Sequence, residues 1–407
     1  MGSLNWDVSV LGFGAMRMPT KQVKDEKIKE KKSVVEEEEA IKMIRYAIDN
    51  GVNYIDTAYP YHGGESEVVV GKALKDGYRE RVHLTTKLPM WMVNKKEDFD
   101  EFFNQQIERL QTNPDIYLFH GLSRGSFEIV KNLNLIEKME QAKNKGLIKH
   151  IGFSFHDSYE VFKEIIDYYN WDCCQIQFNY LDINYQAGSK GLEYAGSKGI
   201  AVIIMEPIRG GQLVIPEDLL SSKTEIWEVL EASKTKRSMA DWALQFVWNH
   251  PEVSVVLSGM STLQQVIENI DSASFSCPNS LTEEDNNTIS NLRKAYEKFI
   301  IVPCTNCRYC VPCPSNVSIP FIFKLLNDLA YWGESEKYIS YYNYLAKTQE
   351  DVEKKRSKGD KVGGAATLCI QCGECLDKCP QQIDIPSFLE KASEIFENGK
   401  SISDIFL

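Results

Sequence analysis

Cysteines near the end of the chain are spaced for metal chemistry. Eight of the eleven cysteines fall into two short runs, Cys304, Cys307, Cys310 and Cys313 followed by Pro314, and Cys369, Cys372, Cys375 and Cys379 followed by Pro380. Thiolates separated by two residues on a tight loop can surround one cube of four irons and four sulfides. Such a cube transfers one electron at a time. The two runs therefore predict a redox module with two [4Fe–4S] clusters.

The second run has the spacing C-x2-C-x2-C-x3-C-P of bacterial ferredoxins, in which the fourth cysteine ligates the neighbouring cluster. The first run has two residues, Val311 and Pro312, before its last cysteine, where that pattern has three. Carried over to this chain, the ferredoxin pattern implies a crossed arrangement. One cluster would be held by Cys304, Cys307, Cys310 and Cys379, and the other by Cys369, Cys372, Cys375 and Cys313.

Zinc and disulfide bonds are the alternative uses of these cysteines. Structural zinc takes four ligands in paired knuckles, which two runs of four with trailing prolines match poorly. Disulfides form in oxidising compartments, whereas residues 1–10 lack the basic start and the apolar core of a secretion signal. The sequence favours iron–sulfur clusters over both.

Length and charge narrow the class of protein. A chain of 407 residues is too long for one ordinary core and suits a large domain with a smaller one. The net charge of −12 argues against a nucleic-acid partner, which requires a basic surface. No apolar run approaches the roughly 18 residues that a membrane span needs. We therefore predict a cytoplasmic protein that acts neither on nucleic acid nor in a membrane.

Four polar residues in the first part of the chain have side chains suited to carbonyl reduction. Tyr61 can donate a proton to a carbonyl oxygen while a hydride reaches the carbon. The ordinary tyrosine pKa of about 10 is too high for easy proton exchange at neutral pH, so a nearby Lys87 ammonium would stabilise the phenolate. Asp56 would keep that lysine charged, and His120 could orient the substrate oxygen.

These residues follow short apolar runs that alternate with amphipathic stretches from Leu11 to about Ala273. The apolar runs predict eight strands, at Val10–Gly14, Val52–Ala58, Val82–Leu88, Ile116–His120, His150–Phe155, Cys174–Asn179, Ala201–Glu206 and Val253–Gly259. Each is followed by a stretch of helical periodicity, a pattern that fits either an open doubly wound sheet or a (β/α)8 TIM barrel. Eight units over roughly 260 residues, without a G-x-G-x-x-G motif after the first strand, favour the barrel. Its catalytic residues come from the C-terminal ends of strands.

Three further segments complete the predicted organisation. The charge-rich stretch Lys21–Glu39 is interpreted as a solvated loop that leads into the first helix. Thr282–Ile300 is predicted to be a helical bridge to the cysteine module, and the proline-free segment between the two cysteine runs predicts further helices. We therefore expect a barrel at residues 1–275, a helical linker at 276–300 and an α-helical domain binding two clusters at 301–407.

Residues 4–273 resemble the aldo/keto reductases. The stretch Asn53-Tyr-Ile-Asp-Thr-Ala-Tyr-Pro-Tyr61 is similar to the Asp-Thr-Ala…Tyr motif of that superfamily, and Thr86-Lys87 and Leu118-Phe-His120-Gly121 match its lysine and histidine segments. The resemblance implies that a catalytic tetrad is formed by Asp56, Tyr61, Lys87 and His120, with the tyrosine as general acid/base. With the cysteine runs included, the whole chain resembles the subgroup that carries a C-terminal [4Fe–4S] domain, here of the α-helical ferredoxin type.

The resemblance also implies a nicotinamide coenzyme, NAD(P)(H), bound at the ends of several strands. Ser154 and Gln175 would bind the nicotinamide amide, and Met205 stands where many members have a tyrosine that stacks on the ring. Arg209-Gly210-Gly211 could cradle the diphosphate, as could the start of the helix after the last strand. The complete set of expected coenzyme-binding residues is Met16, Ser154, Gln175, Met205, Glu206, Arg209, Gly210, Ser258, Gly259, Gln265, Glu268 and Asn269.

Two of these positions bear on the choice of coenzyme. Gln265 and Gly259 stand where NADPH-specific members usually have an arginine and a lysine, so the 2′-phosphate of NADPH would lose its bidentate partner. The adenine-binding pair Glu268 and Asn269 is kept. NADH is therefore a candidate alongside NADPH. A flavin in the barrel mouth is an alternative cofactor that would also fit the missing 2′-phosphate residues.

The leading hypothesis is an oxidoreductase that interconverts a small-molecule carbonyl and an alcohol, with a ferredoxin or another one-electron carrier as a further candidate partner. Hydride transfer moves two electrons together whereas each cluster passes one, so direct coupling calls for a flavin or another two-to-one switch. Three alternatives stay open. These are a flavin- or ferredoxin-linked electron-transfer oxidoreductase, a non-catalytic electron-transfer protein, and an enzyme whose clusters are structural.

Overall fold

The computed structural model describes the chain over residues 4, 6–24, 31–215, 224–304, 310–333, 336–357, 363–376, 378–379 and 383–406. The chain divides into two compact units, residues 1–290 and residues 291–407. Of the helices in the described ranges, none has both the length and the apolar character that crossing a membrane requires.

The first unit is built around a closed barrel of parallel strands. Its described strands are, in chain order, β1 Leu11–Gly14, β2 Thr20–Lys24, β3 Lys31–Val35, β4 Tyr54–Asp56, β5 His83–Leu88, β6 Ile116–Leu122, β7 His150–Phe155, β8 Cys173–Gln177, β9 Ala201–Met205 and β10 Val253–Ser258. Strands β1 and β4 to β10 pair in order around the barrel, which closes because β1 pairs with both β4 and β10. The predicted (β/α)8 barrel is confirmed, and its strand bounds lie within two residues of those expected.

Helices flank the strands along the chain. They are α1 Glu37–Asp49, α2 Glu65–Ala73, α3 Asp98–Leu110, α4 Arg124–Asn132, α5 Leu135–Asn144, α6 Tyr159–Tyr168, α7 Gly188–Ser197, α8 Thr224–Ala232, α9 Met239–Trp248, α10 Leu263–Ser274 and α11 Glu283–Glu297. Short 3₁₀ turns follow several strands, at Ala15–Arg17, Tyr61–Gly64, Met90–Met92 and Arg209–Gly211. These turns carry many of the candidate site residues.

The alternation of side chains along each strand divides the core into two layers. Tyr54, Leu118, Cys173, Ile203 and Val255 pack together in one buried cluster. Their strand neighbours belong to a larger cluster that includes buried residues of the helices. Because successive strand residues point to opposite faces, the first set fills the barrel and the second supports the surrounding helices.

The prediction of a solvated loop for Lys21–Glu39 is wrong. In the structure β2 and β3 pair antiparallel over this segment, and α1 begins at Glu37. Val35 is buried and donates its backbone N–H to Glu65 Oε2 at 3.2 Å, which attaches β3 to α2. The many lysines and glutamates conceal the pairing because charged residues are depleted in strands in general.

The N-terminal end of the barrel is covered by the segment that precedes β1. Leu4, Trp6 and Val8 pack against the inward-facing core. The Trp6 indole stacks on the His83 ring at 4.0 Å and meets the His150 ring edge-on at 4.3 Å. The candidate catalytic residues lie at the opposite end, where the strands finish.

A buried carboxylate ties the starts of three strands together at this covered end. Asp115 precedes β6, is 2% exposed, and accepts a hydrogen bond from the Leu84 N–H of β5 at 2.8 Å. It also pairs with Arg79 at 2.8 Å and with Lys149, just before β7, at 2.7 Å. Burial raises the pKa of Asp115, but these donors outweigh it, so the pKa lies below the ordinary aspartate value.

The second unit is helical, as the proline-free segment predicted. Its described helices are α12 Ile319–Trp332, α13 Glu336–Asn343, α14 Gln349–Ser357, α15 Ile385–Phe396 and α16 Ile402–Phe406. Buried residues of α12, α13 and α15 form its apolar core, and several cysteines pack against this core. The described cysteines of the two runs lie outside the helices, before α12 and before α15.

Candidate active site

Asp56, Tyr61 and Lys87 meet at the C-terminal end of neighbouring strands. Asp56 ends β4, Lys87 lies at the end of β5, and Tyr61 begins the 3₁₀ turn after β4. Lys87 Nζ lies 2.5 Å from Asp56 Oδ1, 3.0 Å from the Thr57 carbonyl oxygen and 3.3 Å from Tyr61 Oη. The side chains of Lys87 and Asp56 are 1% and 4% exposed, so water competes little with these contacts.

The charges of this cluster favour an ammonium beside a neutral phenol. Burial disfavours the Lys87 ammonium, but the Asp56 carboxylate and Tyr61 outweigh burial and raise the pKa of Lys87. Burial also raises the pKa of Tyr61, and the carboxylates of Asp56 and Glu206 act in the same direction. Lys87 lowers the pKa of Tyr61, as expected from the sequence, but does not offset burial. The phenol is therefore protonated at neutral pH.

His120 completes the predicted tetrad from β6. Its ring meets the Tyr61 ring edge-on, with centroids 5.8 Å apart, and lies 5.0 Å from the half-exposed Trp91 indole. Burial, then the Lys87 charge and His156, lower the pKa of His120 well below its ordinary value, so the imidazole is neutral. Its buried Nδ1 has no hydrogen-bond partner among the described residues. A neutral ring with a spare nitrogen can bind a substrate oxygen or hydroxyl.

Two predicted coenzyme residues lie beside the tetrad, in β7 and β8. Gln175 Nε2 donates to Asp56 Oδ2 at 3.4 Å, while its buried Oε1 lacks a donor in the part of the chain that the structure describes. Ser154 Oγ accepts a hydrogen bond from the Gly121 N–H at 2.7 Å. Buried polar atoms are rarely left without a partner. An unpaired amide oxygen next to the tetrad fits the carboxamide N–H groups of a nicotinamide.

A buried polar network that the sequence analysis did not identify lies behind the lysine. Glu67 Oε1 accepts hydrogen bonds from Thr86 Oγ1 at 2.6 Å and from Gln106 Nε2 at 2.7 Å. The Gln106 amide also donates to the Lys87 carbonyl oxygen at 3.1 Å and accepts from the Tyr117 hydroxyl at 2.6 Å. These residues come from α2, α3, β5 and β6. In the sequence, the one available signal of this network was the polar character of Glu67 and Gln106 within amphipathic helices.

The segment after β9 has an unusual backbone. Glu206, Arg209 and Gly210 have φ angles of 57°, 50° and 64°, in the left-handed region that costs non-glycine residues energy. Such conformations concentrate at functional sites. Arg209 Nε pairs with Asp182 Oδ2 at 3.2 Å, and Asn179 Nδ2 donates to the Glu206 carbonyl oxygen at 3.1 Å. Asn179 and Asp182 thus hold this segment in place, and neither was predicted from the sequence as a site residue.

Arg17 is another residue that the sequence analysis missed. A Cβ atom on Gly259 would lie 3.2 Å from three carbons of the Arg17 side chain, and one on Gly210 would lie 2.9 Å from its Nη2. The guanidinium lies 4.0 Å from Glu206, and Ser261 Oγ donates to the Arg17 carbonyl oxygen at 2.8 Å. The two segments predicted to bind the diphosphate therefore come together at Arg17, directly after β1.

The residues after β10 are tied to their own helix. Gln265 Oε1 accepts from the Ser261 N–H at 2.8 Å, and Thr262 Oγ1 caps the start of α10. Asn269 is 8% exposed and donates to Ser258 Oγ at 2.8 Å. The structure thus pairs two predicted coenzyme residues, Ser258 and Asn269, with each other.

The remaining predicted coenzyme residues lie at the same end of the barrel. Met16 belongs to the turn after β1 and is 52% exposed, and Met205 ends β9 and is half-buried. Glu268 of α10 accepts a hydrogen bond from Gln264 Nε2 at 2.9 Å.

In the second unit, thiols line a small cavity. Its wall contains Cys310, Cys313, Cys369, Cys372 and Cys375. The third and fourth cysteines of the first run therefore lie with three cysteines of the second. Among the described residues no three His, Cys, Asp or Glu side chains converge closely enough to bind one metal ion. Thiols spread around a space suit a cube of irons better than a single zinc.

Cys304, Cys307 and Cys379 are the other three predicted cluster ligands. Cys304 and Cys379 are half-buried and pack against the apolar core of the second unit. Cys307 lies outside the described residues. Burial raises the pKa of Cys375, and the thiols of Cys369, Cys313 and Cys372 raise it further because they are close neighbours.

Comparison with known families divides the chain in the same two parts. Residues 10–294 match the Aldo/keto reductase family, and residues 303–383 match a 4Fe-4S dicluster domain. L-galactose dehydrogenase of Arabidopsis thaliana is 28% identical over 290 residues, which cover 66% of this chain and 86% of that protein. The NADH-specific methylglyoxal reductase of Escherichia coli is 24% identical over 287 residues, which cover 61% of this chain and 85% of that protein.

Solved structures resemble the barrel as well. The holo form of an aldo-keto reductase from Bacillus halodurans is 27% identical, with a TM-score of 0.57, and the match covers 72% of this chain and 95% of that one. A Klebsiella pneumoniae aldo-keto reductase in complex with NADPH is 23% identical, with a TM-score of 0.55, and the match covers 70% and 91% of the two chains. The chain is an oxidoreductase that belongs to the aldo/keto reductase family and carries a C-terminal 4Fe-4S dicluster domain.

Proposed function

We propose that this chain interconverts a small-molecule carbonyl and its alcohol with NAD(P)(H), using Tyr61 as general acid/base. The Lys87 ammonium carries the proposal, because it lies 3.3 Å from the Tyr61 hydroxyl and 2.5 Å from the Asp56 carboxylate. A proton donor beside a fixed positive charge, in a site with little water, stabilises the negative charge that develops on a carbonyl oxygen.

A bound nicotinamide would supply the hydride. In the reducing direction Tyr61 donates its proton from Oη to the carbonyl oxygen, and Lys87 stabilises the phenolate that remains. Asp56 keeps the lysine charged, since its carboxylate raises the pKa of Lys87 despite burial. In the oxidising direction the Tyr61 phenolate accepts the proton of the alcohol.

His120 and the turn after β5 define how a substrate enters. The neutral His120 ring donates an N–H hydrogen bond to the substrate oxygen and thereby orients the carbonyl towards Tyr61. Trp91 and Met92 of the 3₁₀ turn are 52% and 40% exposed and lie in the loop that follows Lys87. These exposed apolar side chains favour a substrate with an apolar portion.

We further propose that the coenzyme is NADH rather than NADPH. Gln265 offers an amide where a 2′-phosphate would need a guanidinium, and its Oε1 is already bonded to the Ser261 N–H at 2.8 Å. Gly259 offers no side chain. The name of the Escherichia coli relative, an NADH-specific methylglyoxal reductase, agrees with this choice.

For the second unit we propose two [4Fe–4S] clusters with crossed ligation. The cavity that gathers Cys313 with Cys369, Cys372 and Cys375 supports this set as the ligands of one cluster. We assign the other cluster to Cys304, Cys307, Cys310 and Cys379. The corresponding domains are the barrel at 1–275, the linker at 276–300 and the cluster-binding domain at 301–407.

Substitution of Tyr61 tests the enzymatic proposal. Methylglyoxal and 4-nitrobenzaldehyde are suitable carbonyl probes, with NADH and NADPH compared as reductants. We expect Tyr61→Phe to reduce kcat at least a hundredfold because the proton donor is lost. Tyr59→Phe is the matched control, since that hydroxyl lies on the same loop but bonds Gln105 at 2.8 Å instead of Lys87. Equal rates in Tyr61→Phe and the unaltered enzyme would refute the proposed role.

Anaerobic purification tests the cofactors. We expect about eight irons and eight sulfides per chain, as two cubes require, and no flavin in the supernatant after denaturation. About four irons would refute the second cluster, and a stoichiometric flavin would refute the nicotinamide assignment in favour of a flavin in the barrel mouth. Changing Cys313 to Ala should remove the signal of one cluster and leave the other.

A further inference from the structure

The turn that carries Tyr61 is held by an arginine of α3. Arg109 Nη1 donates to the Tyr59 carbonyl oxygen at 3.1 Å, and the guanidinium carbon lies 4.1 Å from the centre of the Tyr59 ring. At the other end of the turn, a Cβ atom on Gly64 would lie 3.1 Å from the same Nη1. Gly64 has a φ of 95°, which glycine adopts readily, and a side chain at this position would crowd the guanidinium. The Tyr61 turn is therefore shaped around Arg109.

A buried carboxylate connects this arginine to the strand that carries Lys87. Glu67 Oε2 pairs with Arg109 at 3.2 Å, and its Oε1 accepts from Thr86 Oγ1 at 2.6 Å. Glu67 is 0% exposed. Thr86 directly precedes Lys87 in β5, and strand alternation points one side chain to the helices and the other into the barrel. The Arg109–Glu67 pair thus links the tyrosine turn to the lysine strand from outside the barrel.

Close packing of α2 and α3 makes this link short. A Cβ atom on Gly71 would lie 2.4 Å from the Leu110 carbonyl oxygen, so glycine is required where the two helices meet. Gln106, one turn before Leu110, then reaches both Glu67 at 2.7 Å and the Lys87 carbonyl oxygen at 3.1 Å. The segments that carry Tyr61 and Lys87 are therefore held by one hydrogen-bonded frame, which consists of Glu67, Thr86, Gln106 and Arg109.

Stability alone does not account for the Arg109–Glu67 pair. Glu67 is fully buried and Arg109 is 26% exposed, so the pair must offset the loss of hydration of the carboxylate, and well-packed apolar side chains often stabilise a fold as much or more. What the pair provides is directional contacts to two backbone segments. A displacement of about 1 Å in a catalytic group can cost roughly a hundredfold in rate, so such contacts matter for catalysis.

We propose that Glu67 and Arg109 are positioning residues that set the separation of the Tyr61 hydroxyl and the Lys87 ammonium. The inference rests on the proposed function, because it assigns these residues to the geometry of the same acid/base pair. Neither side chain touches the reacting atoms: Arg109 acts through the Tyr59 carbonyl oxygen, two residues before Tyr61, and Glu67 acts through the Thr86 hydroxyl, one residue before Lys87.

Arg109→Met tests this inference, with Arg79→Met as the matched control. Arg79 also pairs with a buried carboxylate, Asp115, at 2.8 Å, but at the covered end of the barrel. The ionisation of Tyr61 is followed by NMR of the full chain with tyrosine ¹³C-labelled at the ζ carbon, and Tyr61→Phe identifies the resonance. Rates with 4-nitrobenzaldehyde and NADH, and the melting temperature, are measured for the same proteins.

We expect Arg109→Met to lower kcat roughly ten- to a hundredfold and to raise the pKa of Tyr61, because the ammonium moves away from the phenol. Arg79→Met should lower the melting temperature comparably and change neither quantity. Arg109→Lys keeps a charge near Glu67 but loses the planar fork, and should fall between Arg109→Met and the unaltered enzyme. If Arg109→Met does not fold, the rate and the Tyr61 titration of Arg109→Lys decide the test.

The inference is overturned if the Tyr61 resonance titrates identically in the unaltered, Arg79 and Arg109 proteins. It is also overturned if rate losses follow the melting temperature in both variants. An unaltered chain that reduces no carbonyl probe would refute the proposed function instead, and the NMR titration would still decide the placement of Tyr61.

Discussion

The position of a single ammonium decides the chemistry available to Tyr61. Burial and two carboxylates raise the pKa of the phenol, whereas Lys87 lowers it, and burial prevails. In the proposed mechanism Tyr61 therefore rests as a proton donor, and the lysine contributes most when the proton leaves and a phenolate must be stabilised. Motif matching found the four residue types, but this balance depends on how deeply each is buried, which the sequence does not reveal.

The direction of this pKa shift predicts opposite pH profiles for the two reactions. Aldehyde reduction with NADH should be nearly constant from about pH 6 to 9, because the pKa of Tyr61 lies above its ordinary value and the phenol stays protonated. Oxidation of the alcohol should rise with pH over the same interval, since it needs the phenolate. Initial rates of both reactions in one buffer series check this.

Lys87→Met supplies the companion test. Without the ammonium the pKa of Tyr61 should rise further, so alcohol oxidation should be slow throughout and its increase should move to higher pH. An oxidation rate that does not depend on pH in the unaltered enzyme would contradict the assignment of Tyr61 as the base.

A second prediction at this scale concerns coenzyme choice. Gln265→Arg should tighten NADPH binding about tenfold and leave NADH binding unchanged, because a guanidinium can pair with the 2′-phosphate. Gln264→Arg is the matched control, since that neighbour is also exposed and bonds Glu268 at 2.9 Å. Dissociation constants are measured by quenching of protein fluorescence. Equal effects of the two variants would show that the position of Gln265 is wrongly assigned.

Among the elements, the barrel strands were predictable and the β2–β3 pair was not. A strand such as Ala201–Met205 is an uninterrupted apolar run, and burial on both faces demands that composition. The β2–β3 segment is short and rich in lysine, and Val35 is its one clearly buried residue among those whose side chains are described. Local composition therefore pointed to a loop.

The frame around Glu67 shows a different limit. Glu67 and Arg109 are far apart along the chain, and each could be a solvated residue on the outer face of its helix. Only the approach of α2 and α3, made close by Gly71, brings the two together. Contacts of this kind depend on the relative placement of helices and strands, which the periodicity of apolar residues in the sequence does not reveal.

The covered end of the barrel yields a prediction about stability. Asp115→Asn should lower the free energy of unfolding by about 1–3 kcal/mol, because Arg79 and Lys149 lose their charged partner. The pKa of Asp115 is lowered in the folded chain, so its contribution is present above the ordinary value of 3.8 and is lost as pH falls through the folded-state pKa.

Urea unfolding followed by circular dichroism checks this at two pH values. The difference between Asp115→Asn and the unaltered chain should be full at pH 7 and should shrink under strongly acidic conditions. Catalytic rates should be unaffected, since the residue lies opposite the tetrad. A difference that grows on acidification would contradict the argument.

For the whole molecule, the sequence predicted both modules but not every residue that comes together at each site. The ferredoxin spacing led to the grouping of Cys313 with the second run, and the structure places these thiols around one cavity. Cys310 lies on the same wall, which the crossed pattern did not anticipate. On the barrel, Arg17, Asn179 and Asp182 were not predicted because their roles come from neighbours in the segments that follow other strands.

The combination of hydride and single-electron chemistry leads to a further prediction. NADH alone should leave the clusters oxidised, because a nicotinamide does not readily divide its electron pair and the proposed site in the barrel holds one coenzyme. Dithionite should reduce them. Electron paramagnetic resonance of anaerobic samples distinguishes the two cases, and a cluster signal produced by NADH would contradict the prediction and point to a flavin or another two-to-one switch.

The cysteine-lined cavity also bears on how long the protein survives in air. Cys372 is exposed, and Ile370, two residues before it, is 70% exposed, so the wall offers little cover on this side. Dioxygen and peroxide attack accessible thiolates and the irons they hold far faster than enclosed ones. Decay of the visible absorbance after aeration should therefore begin at this cluster, and a bulkier aliphatic side chain beside Cys372 should lengthen its half-life.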